Sequence, residues 1–161
     1  MIIKHSLNNH KEHKLNLLKL IKEIPEVKSK ESYEDLSKSD WYLPTNYKRL
    51  YWDYFINLLE PFKKEMQQKF GGQLDIQNYW FQQYTKNNFH NWHNHDRCHF
   101  SSVYYLELPS VKLITQFKNK LSFKAKEGDI ITFPSYLFHR SPMNKTNKRK
   151  TVIVFNSSIV H

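Results

Sequence analysis

Apolar positions along the chain recur first with a helical period and then with a period of two. Residues 11–24 set Leu15, Leu18, Ile21 and Ile24 at helical spacing among lysines, and Pro25 stops the pattern. Residues 26–45 are polar and read as loop. Over residues 46–70, Leu50, Tyr54, Leu58, Phe62 and Met66 fall on one stripe, with Pro61 placed to kink the helix and Gly71-Gly72 to end it. From residue 74 the alternation changes, and strands are predicted over 74–85, 99–108, 112–118, 129–133 and 150–158. Turn signals at Asp96-Arg97, Pro109-Ser110, Lys126-Glu127-Gly128 and Pro142-Met143-Asn144 separate several of them. Helices first and short strands afterwards predict an α+β chain whose helices pack on an antiparallel sandwich or barrel. The helical part is expected over 1–72 and the β core over 73–161, together one domain.

The chain has 161 residues, enough for one core without disulfide staples. Its one cysteine, Cys98, has no internal partner, which points to a reducing compartment. No apolar run has the length of a membrane span, and Met1-Ile2-Ile3-Lys4-His5-Ser6 does not read as a signal peptide. A cytosolic protein with no membrane association is expected. The net charge of +10 invites a polyanionic partner. Against that, the lysines accompany many asparagines and are spread along the chain, as an AT-rich genome leaves them without any binding role.

Two local features carry chemistry. In Phe89-His90-Asn91-Trp92-His93-Asn94-His95-Asp96, residues i and i+2 of an extended segment share a face. His93 and His95 then stand side by side, as two ligands of one metal must. Imidazole suits Fe, Zn, Cu and Ni. Further on, Gly128-Asp129 opens an apolar strand that reaches Phe133-Pro134-Ser135 and then His139. Another strand follows, opening on Arg149-Lys150 and turning apolar through Phe155. A histidine pair, a distant histidine and a cation on the next strand suit a metal held on one face of a barrel, with the cation set for the far carboxylate of a chelating co-substrate.

These segments, with Trp80 to Tyr84, Trp92 to His95, Ser101 to Leu106 and Lys150 to Asn156, occur in an order that resembles the 2-oxoglutarate/Fe(II)-dependent dioxygenases. The likeness is to a small oxygenase branch common in marine bacteria and their phages. It spans residues 74–156, about half of the chain; the N-terminal helices match only in kind. The resemblance implies a double-stranded β-helix (a jelly-roll, cupin-like core) with the helices packed on it, and Fe(II), 2-oxoglutarate and O2 as cofactor and co-substrates. His93 is then the first metal ligand and His139 the distal one. His95 stands where the superfamily usually has a carboxylate, and it is taken as the third ligand, with Asp96 the alternative. Lys150 falls at the family's co-substrate arginine when counted back from Phe155-Asn156, whereas the Arg-x-Ser/Thr pattern favours Arg149 with Thr151.

Tyr104 and Tyr105 alternate faces, and the inward hydroxyl is a candidate for the co-substrate carboxylate; Tyr104 is named for it. Trp92, His90 and Arg140 are candidates for substrate contact, and Phe89, Trp92 and Tyr84 offer flat faces near the metal. The function expected is hydroxylation of an unactivated C–H bond. The alternative is a cupin-like metal-binding barrel with no 2-oxoglutarate chemistry. The substrate is expected to be a macromolecule, protein or nucleic acid, or a bulky metabolite, because the charge is high and a short chain leaves little material for a long lid.

Overall fold

The structure is a computed structural model that describes residues 1–27 and 31–161. Its centre is a six-stranded antiparallel sheet built around β6 (Phe100–Glu107) and β10 (Lys150–Val160). In order across the sheet run β1 (Ile3–Ser6), β8 (Asp129–Pro134), β6, β10, β4 (Gln73–Tyr84) and β3 (Lys38–Ser39). A second, four-stranded antiparallel sheet runs β2 (Glu34–Asp35), β5 (Phe89–His93), β9 (His139–Ser141) and β7 (Gln116–Phe117).

The large sheet is buried on both faces. One face carries Phe81, Tyr104, Ile130, Ile153 and Phe155, which pack with helix residues Tyr51, Phe55 and Phe62. The other carries Trp80, Tyr105, Ile131, Phe133 and Val154, which pack with Phe117 of the small sheet. Phe117 and Phe133 meet edge to face at 4.8 Å across the two sheets. The period of two in β6 and β10 therefore divides residues between two cores, not between core and water.

The helices depart from the sequence reading in their faces and ends. α1 (His10–Lys22) buries His10, Leu17 and Ile21, with Ile24 just beyond it, while Leu15 is 77% exposed. The leucines crowd this helix at 15, 17, 18 and 20, so several stripes have helical spacing and only packing selects one. The second predicted helix is two helices, α2 (Leu50–Leu58) and α3 (Glu60–Phe70), meeting at Leu59. Proline lacks the N–H that continues a helix, so Pro61 starts α3 instead of bending one long helix. The buried face of α2 is Tyr51, Trp52 and Phe55, and Leu50 is 47% exposed.

The predicted strand at 112–118 is a 3₁₀ turn over Val111–Leu113 followed by the two residues of β7. Ser110 caps that turn, its hydroxyl accepting from the Lys112 N–H. Three short strands lie within the first 72 residues, where none was expected. β1 and β3 flank the large sheet and β2 the small one, so the first 72 residues contribute to both sheets. No helix among the described residues is long and apolar enough to cross a membrane.

Candidate metal centre

β5 and β9 run antiparallel, and their register sets His93 directly opposite His139. Cross-strand neighbours stand about 4.5–5.5 Å apart at Cβ, close enough for two rings to share one ion; the ring centroids are 4.3 Å apart. His95 lies just past the end of β5. Its backbone N–H donates to the Ser135 carbonyl at 3.0 Å, which ties this stretch to the corner before β9. The His95 ring is 5.2 Å from each of the other two. Ligand-capable atoms of His93, His95 and His139 all lie within 4.8 Å of one another. Asp96 does not join them: its side chain is 92% exposed, beside Arg97.

The hydrogen bonds leave these rings free to act as ligands. His93 Nδ1 donates to the Asn91 carbonyl at 2.7 Å, and His139 Nδ1 to the Leu137 carbonyl at 2.8 Å. Each proton is thereby held on Nδ1, leaving the Nε2 lone pair available. His95 Nε2 is buried with no hydrogen-bond partner among the described residues, a costly state for a polar atom unless something else binds it. Burial lowers all three pKa values, His95 to about 4 and His139 to about 3, with the neighbouring histidines adding to the effect in both. At neutral pH the rings are uncharged, the form a metal takes. This donor set fits a divalent transition metal with open positions left.

The three rings line a cavity of about 380 Å³, counted to its open mouth. Trp80, Gln82 and Tyr84 of β4 and Lys150, Val152 and Val154 of β10 form another wall, each trio spaced two residues apart. Lys150 is 2% exposed. Its ammonium donates to the Leu113 carbonyl at 2.6 Å and to Ser141 Oγ at 2.7 Å, and sits 5.0 Å from the Tyr84 ring centre. None of the ion pairs among the described residues includes it. Burial pushes its pKa down to about 7.

The other candidates from the sequence divide between the cavity and the outside. Arg149 points away from the cavity and pairs with Glu107 at 2.7 Å, 43% exposed. Thr151 also faces away from the cavity, fully buried, and donates to the same carboxylate at 2.6 Å. Tyr104 lies on the helix side, bonded to His10 Nδ1. Tyr105 is the tyrosine on the inner face, and its hydroxyl pairs with Thr115 Oγ1 at 3.0 Å. His90 lines the cavity and stacks on His93 at 3.8 Å with planes 9° apart. Gln82 Nε2 donates to its Nδ1 at 3.2 Å, and Gln82 Oε1 accepts from the Tyr84 hydroxyl at 2.8 Å. Arg140 lies at the mouth with its guanidinium 4.6 Å from the Trp92 ring centre. Phe89 lines a neighbouring surface pocket instead.

Sequence reasoning did not single out Gln82, Thr115 or Ser141. Gln82 had a faint signal, an amide between two aromatics on an otherwise apolar face. Thr115 and Ser141 are placed by short elements that leave no period to read.

No family model and no curated protein matches the sequence. Solved structures do match the fold. HygX from Streptomyces hygroscopicus, with nickel, 2-oxoglutarate and hygromycin B bound, aligns over 99% of this chain and 83% of its own at TM-score 0.72 and 8% identity. A 2OG-Fe(II) oxygenase family oxidoreductase from Burkholderia pseudomallei aligns over 98% and 85% at TM-score 0.68 and 14% identity. A prolyl hydroxylase from Trichoplax adhaerens, in complex with a hypoxia inducible factor peptide fragment, aligns over 98% and 83% at TM-score 0.67 and 10% identity. With its antiparallel sheets and its three histidines drawn to one point, this chain has the fold of the 2-oxoglutarate/Fe(II)-dependent oxygenases.

Proposed function

We propose that this chain is an Fe(II)- and 2-oxoglutarate-dependent dioxygenase acting as a hydroxylase, its two sheets forming the jelly roll of a double-stranded β-helix. The observation that carries the reading is one cavity lined both by three converging neutral imidazoles and by a buried lysine that has no carboxylate partner among the described residues. His93, His95 and His139 are the residues to hold Fe(II). Ser141, in contact with Lys150, stands two residues beyond His139 on β9, a step of about 7 Å along a strand. A five-carbon diacid that chelates the metal through its keto-acid end can span such a gap and reach the Lys150 ammonium with its far carboxylate. The sequence pattern favoured Arg149; the inward position belongs to Lys150, and we assign it the role.

When bound, Fe(II) with 2-oxoglutarate and O2 supplies the oxidising power for C–H hydroxylation, releasing succinate and CO2. The protein's residues bind and orient. Lys150 and Ser141 anchor the co-substrate, and Trp80, Val103 and Val154 keep the pocket apolar. Three neutral ligands leave the full charge of the metal in the site, which strengthens its attraction for an anionic co-substrate. A cupin-like barrel without 2-oxoglutarate chemistry gives no reason to bury Lys150, since burying a cation costs free energy. The lone thiol Cys98 and a ferrous ion both suit a reducing cytoplasm. Trp92, His90 and Arg140, near the mouth, are positioned for a substrate, which we take to be a macromolecule; the prolyl hydroxylase with its bound peptide is a precedent.

The test is succinate release with Fe(II) and 2-oxoglutarate, each omitted in turn. Succinate is expected only when both are present. Metal binding with no 2-oxoglutarate turnover under any condition would overturn the reading in favour of a plain metal barrel.

A further inference from the structure

The small sheet is electrically polarised from edge to edge. One edge is β2, which carries Glu34 and Asp35; the opposite edge is β7, flanked by lysines. From Pro109 to Lys126 the chain holds Lys112, Lys118, Lys120, Lys124 and Lys126 and no acidic residue. A groove with about 940 Å³ of space, open to solvent, runs along this basic edge. It shares Thr115 and Arg140 with the metal cavity, so whatever lies in it passes the cavity mouth. Lys112, Lys118, Lys120 and Arg140 line it, and no aspartate or glutamate does among the described residues. Lysines occur along the whole chain, but in this stretch they come without acidic neighbours and beside one mouth of the metal cavity.

We propose that this groove docks an acidic, apolar-bearing segment of another protein and leads it to the metal cavity. The inference rests on the oxygenase reading for what happens in the cavity, but not for the docking itself. Charge complementarity fixes the sign of the occupant. The apolar lining fixes its class. Val111, Ile114 and Leu121 are aliphatic and offer no ring face for a base to stack on. The aromatic rings of the lining are partly taken up: Arg140 lies over one face of Trp92, Phe117 is buried against Phe133, and Phe123 packs edge to face with Phe117. A single-stranded nucleic acid needs open aromatic platforms beside its cations. An extended peptide instead sets alternate side chains to alternate sides, apolar ones into the aliphatic floor and acidic ones to the lysine rim.

The test uses fluorescence anisotropy on the full chain with Ni(II) and 2-oxoglutarate present. The probes are a labelled peptide of alternating Glu and Leu, peptides of equal length alternating Ser and Leu or Lys and Leu, and an oligothymidylate of similar length. The acidic peptide is expected to bind tightest, with affinity falling as salt rises. The triple variant Lys112→Glu/Lys118→Glu/Lys120→Glu should weaken it at least about tenfold, and the triple arginine variant should retain it. All three lysines are exposed, and an unchanged Ni(II) titration verifies that the variants are folded. Equal binding of the neutral or basic peptide, tighter binding of oligothymidylate, or indifference to charge reversal would each overturn the proposal. Docking is read without turnover, so an absence of succinate release counts against the oxygenase reading and leaves the groove to be judged on these measurements.

Discussion

At the scale of single residues, the decisive contrast is between two neighbours, Arg149 and Lys150. Arg149 is half exposed and satisfied by Glu107, whereas Lys150 is buried beside Ser141 and pairs with no anion among the described residues. Lys150→Ala should therefore weaken 2-oxoglutarate binding by roughly 2–5 kcal/mol, the usual cost of removing a charged partner in a buried site. Arg149→Ala should cost less than about 1 kcal/mol, as for an exposed pair. Titration of 2-oxoglutarate into Ni(II)-loaded protein measures both, and equal losses would refute the assignment. Protonation adds a second check. Burial holds Lys150 at about 7 in the free protein, so above that pH the ammonium must regain a proton to meet a carboxylate. Binding at pH 8 should take up protons, visible as calorimetric heats that change with buffer, and affinity should fall as pH rises. The sign for stability is opposite: the unfolded chain keeps this proton to a higher pH, so the cost of burial is fully present below about pH 7 and fades above it. Among the ligands, His95→Ala should abolish tight Ni(II) binding and Asp96→Ala should leave it unchanged, because the Asp96 side chain stands in water.

At the scale of elements, the site depends on short strands held in register from outside. β5 and β9 are five and three residues long, too little to fix themselves. Their geometry is secured by the corner at Ser135, which accepts from His95 N–H, donates its hydroxyl to the Cys98 carbonyl, and donates its N–H to the His99 carbonyl. On the far side, Gly72 turns the chain from α3 into β4 at φ +69°, and a Cβ there would stand 2.5 Å from the Val160 carbonyl oxygen. Backbone cannot yield as a side-chain tip can. Gly72→Ala should cost about 1–3 kcal/mol from the positive φ and the clash together. At about 2–4 °C per kcal/mol for a chain of this size, that is a fall of several degrees in Tm. Differential scanning calorimetry reads it directly, and an unchanged Tm would show that the turn relaxes freely.

At the scale of the whole molecule, the large sheet separates two tasks. Its outer face joins the helices in an aromatic core, and its inner face supplies the cavity wall. A metal held by His93, His95 and His139, as proposed, would tie β5 to β9 and to the loop at His95, and would bind the folded chain and not the unfolded one. Ligand-linked stabilisation of about 2.7 kcal/mol is expected at a hundredfold excess over Kd, a rise in Tm of about 5–10 °C. Chelator should reverse it. Because His93 and His139 lie in the small sheet and His95 just past β5, hydrogen exchange should slow there on metal addition while the helix-side core hardly changes.

The sequence alone determined the class of chain, the long strands and the residue types of the site. Those rest on local rules: period two over 74–85, 99–108 and 150–158, the same-face spacing of His93 and His95, and a histidine following a Pro-Ser corner. Four things were decided only by the tertiary structure. One is the buried face of α1, where closely spaced leucines make several stripes equivalent. Another is the set of two-residue strands β2, β3 and β7, which are too short to carry a period and form only because long strands present edges to them. A third is the orientation of β10. Both of its faces are apolar, so no alternation of hydrophobic and polar residues tells inside from outside, and Lys150 and Arg149 are equivalent until pairing with β4 sets Lys150 opposite Tyr84. The last is the meeting of His93 with His139, far apart in the chain and joined by one register between two short strands. A local pattern can say which side chains share a face, but not which face turns inward, because that is settled by the pairing of distant segments.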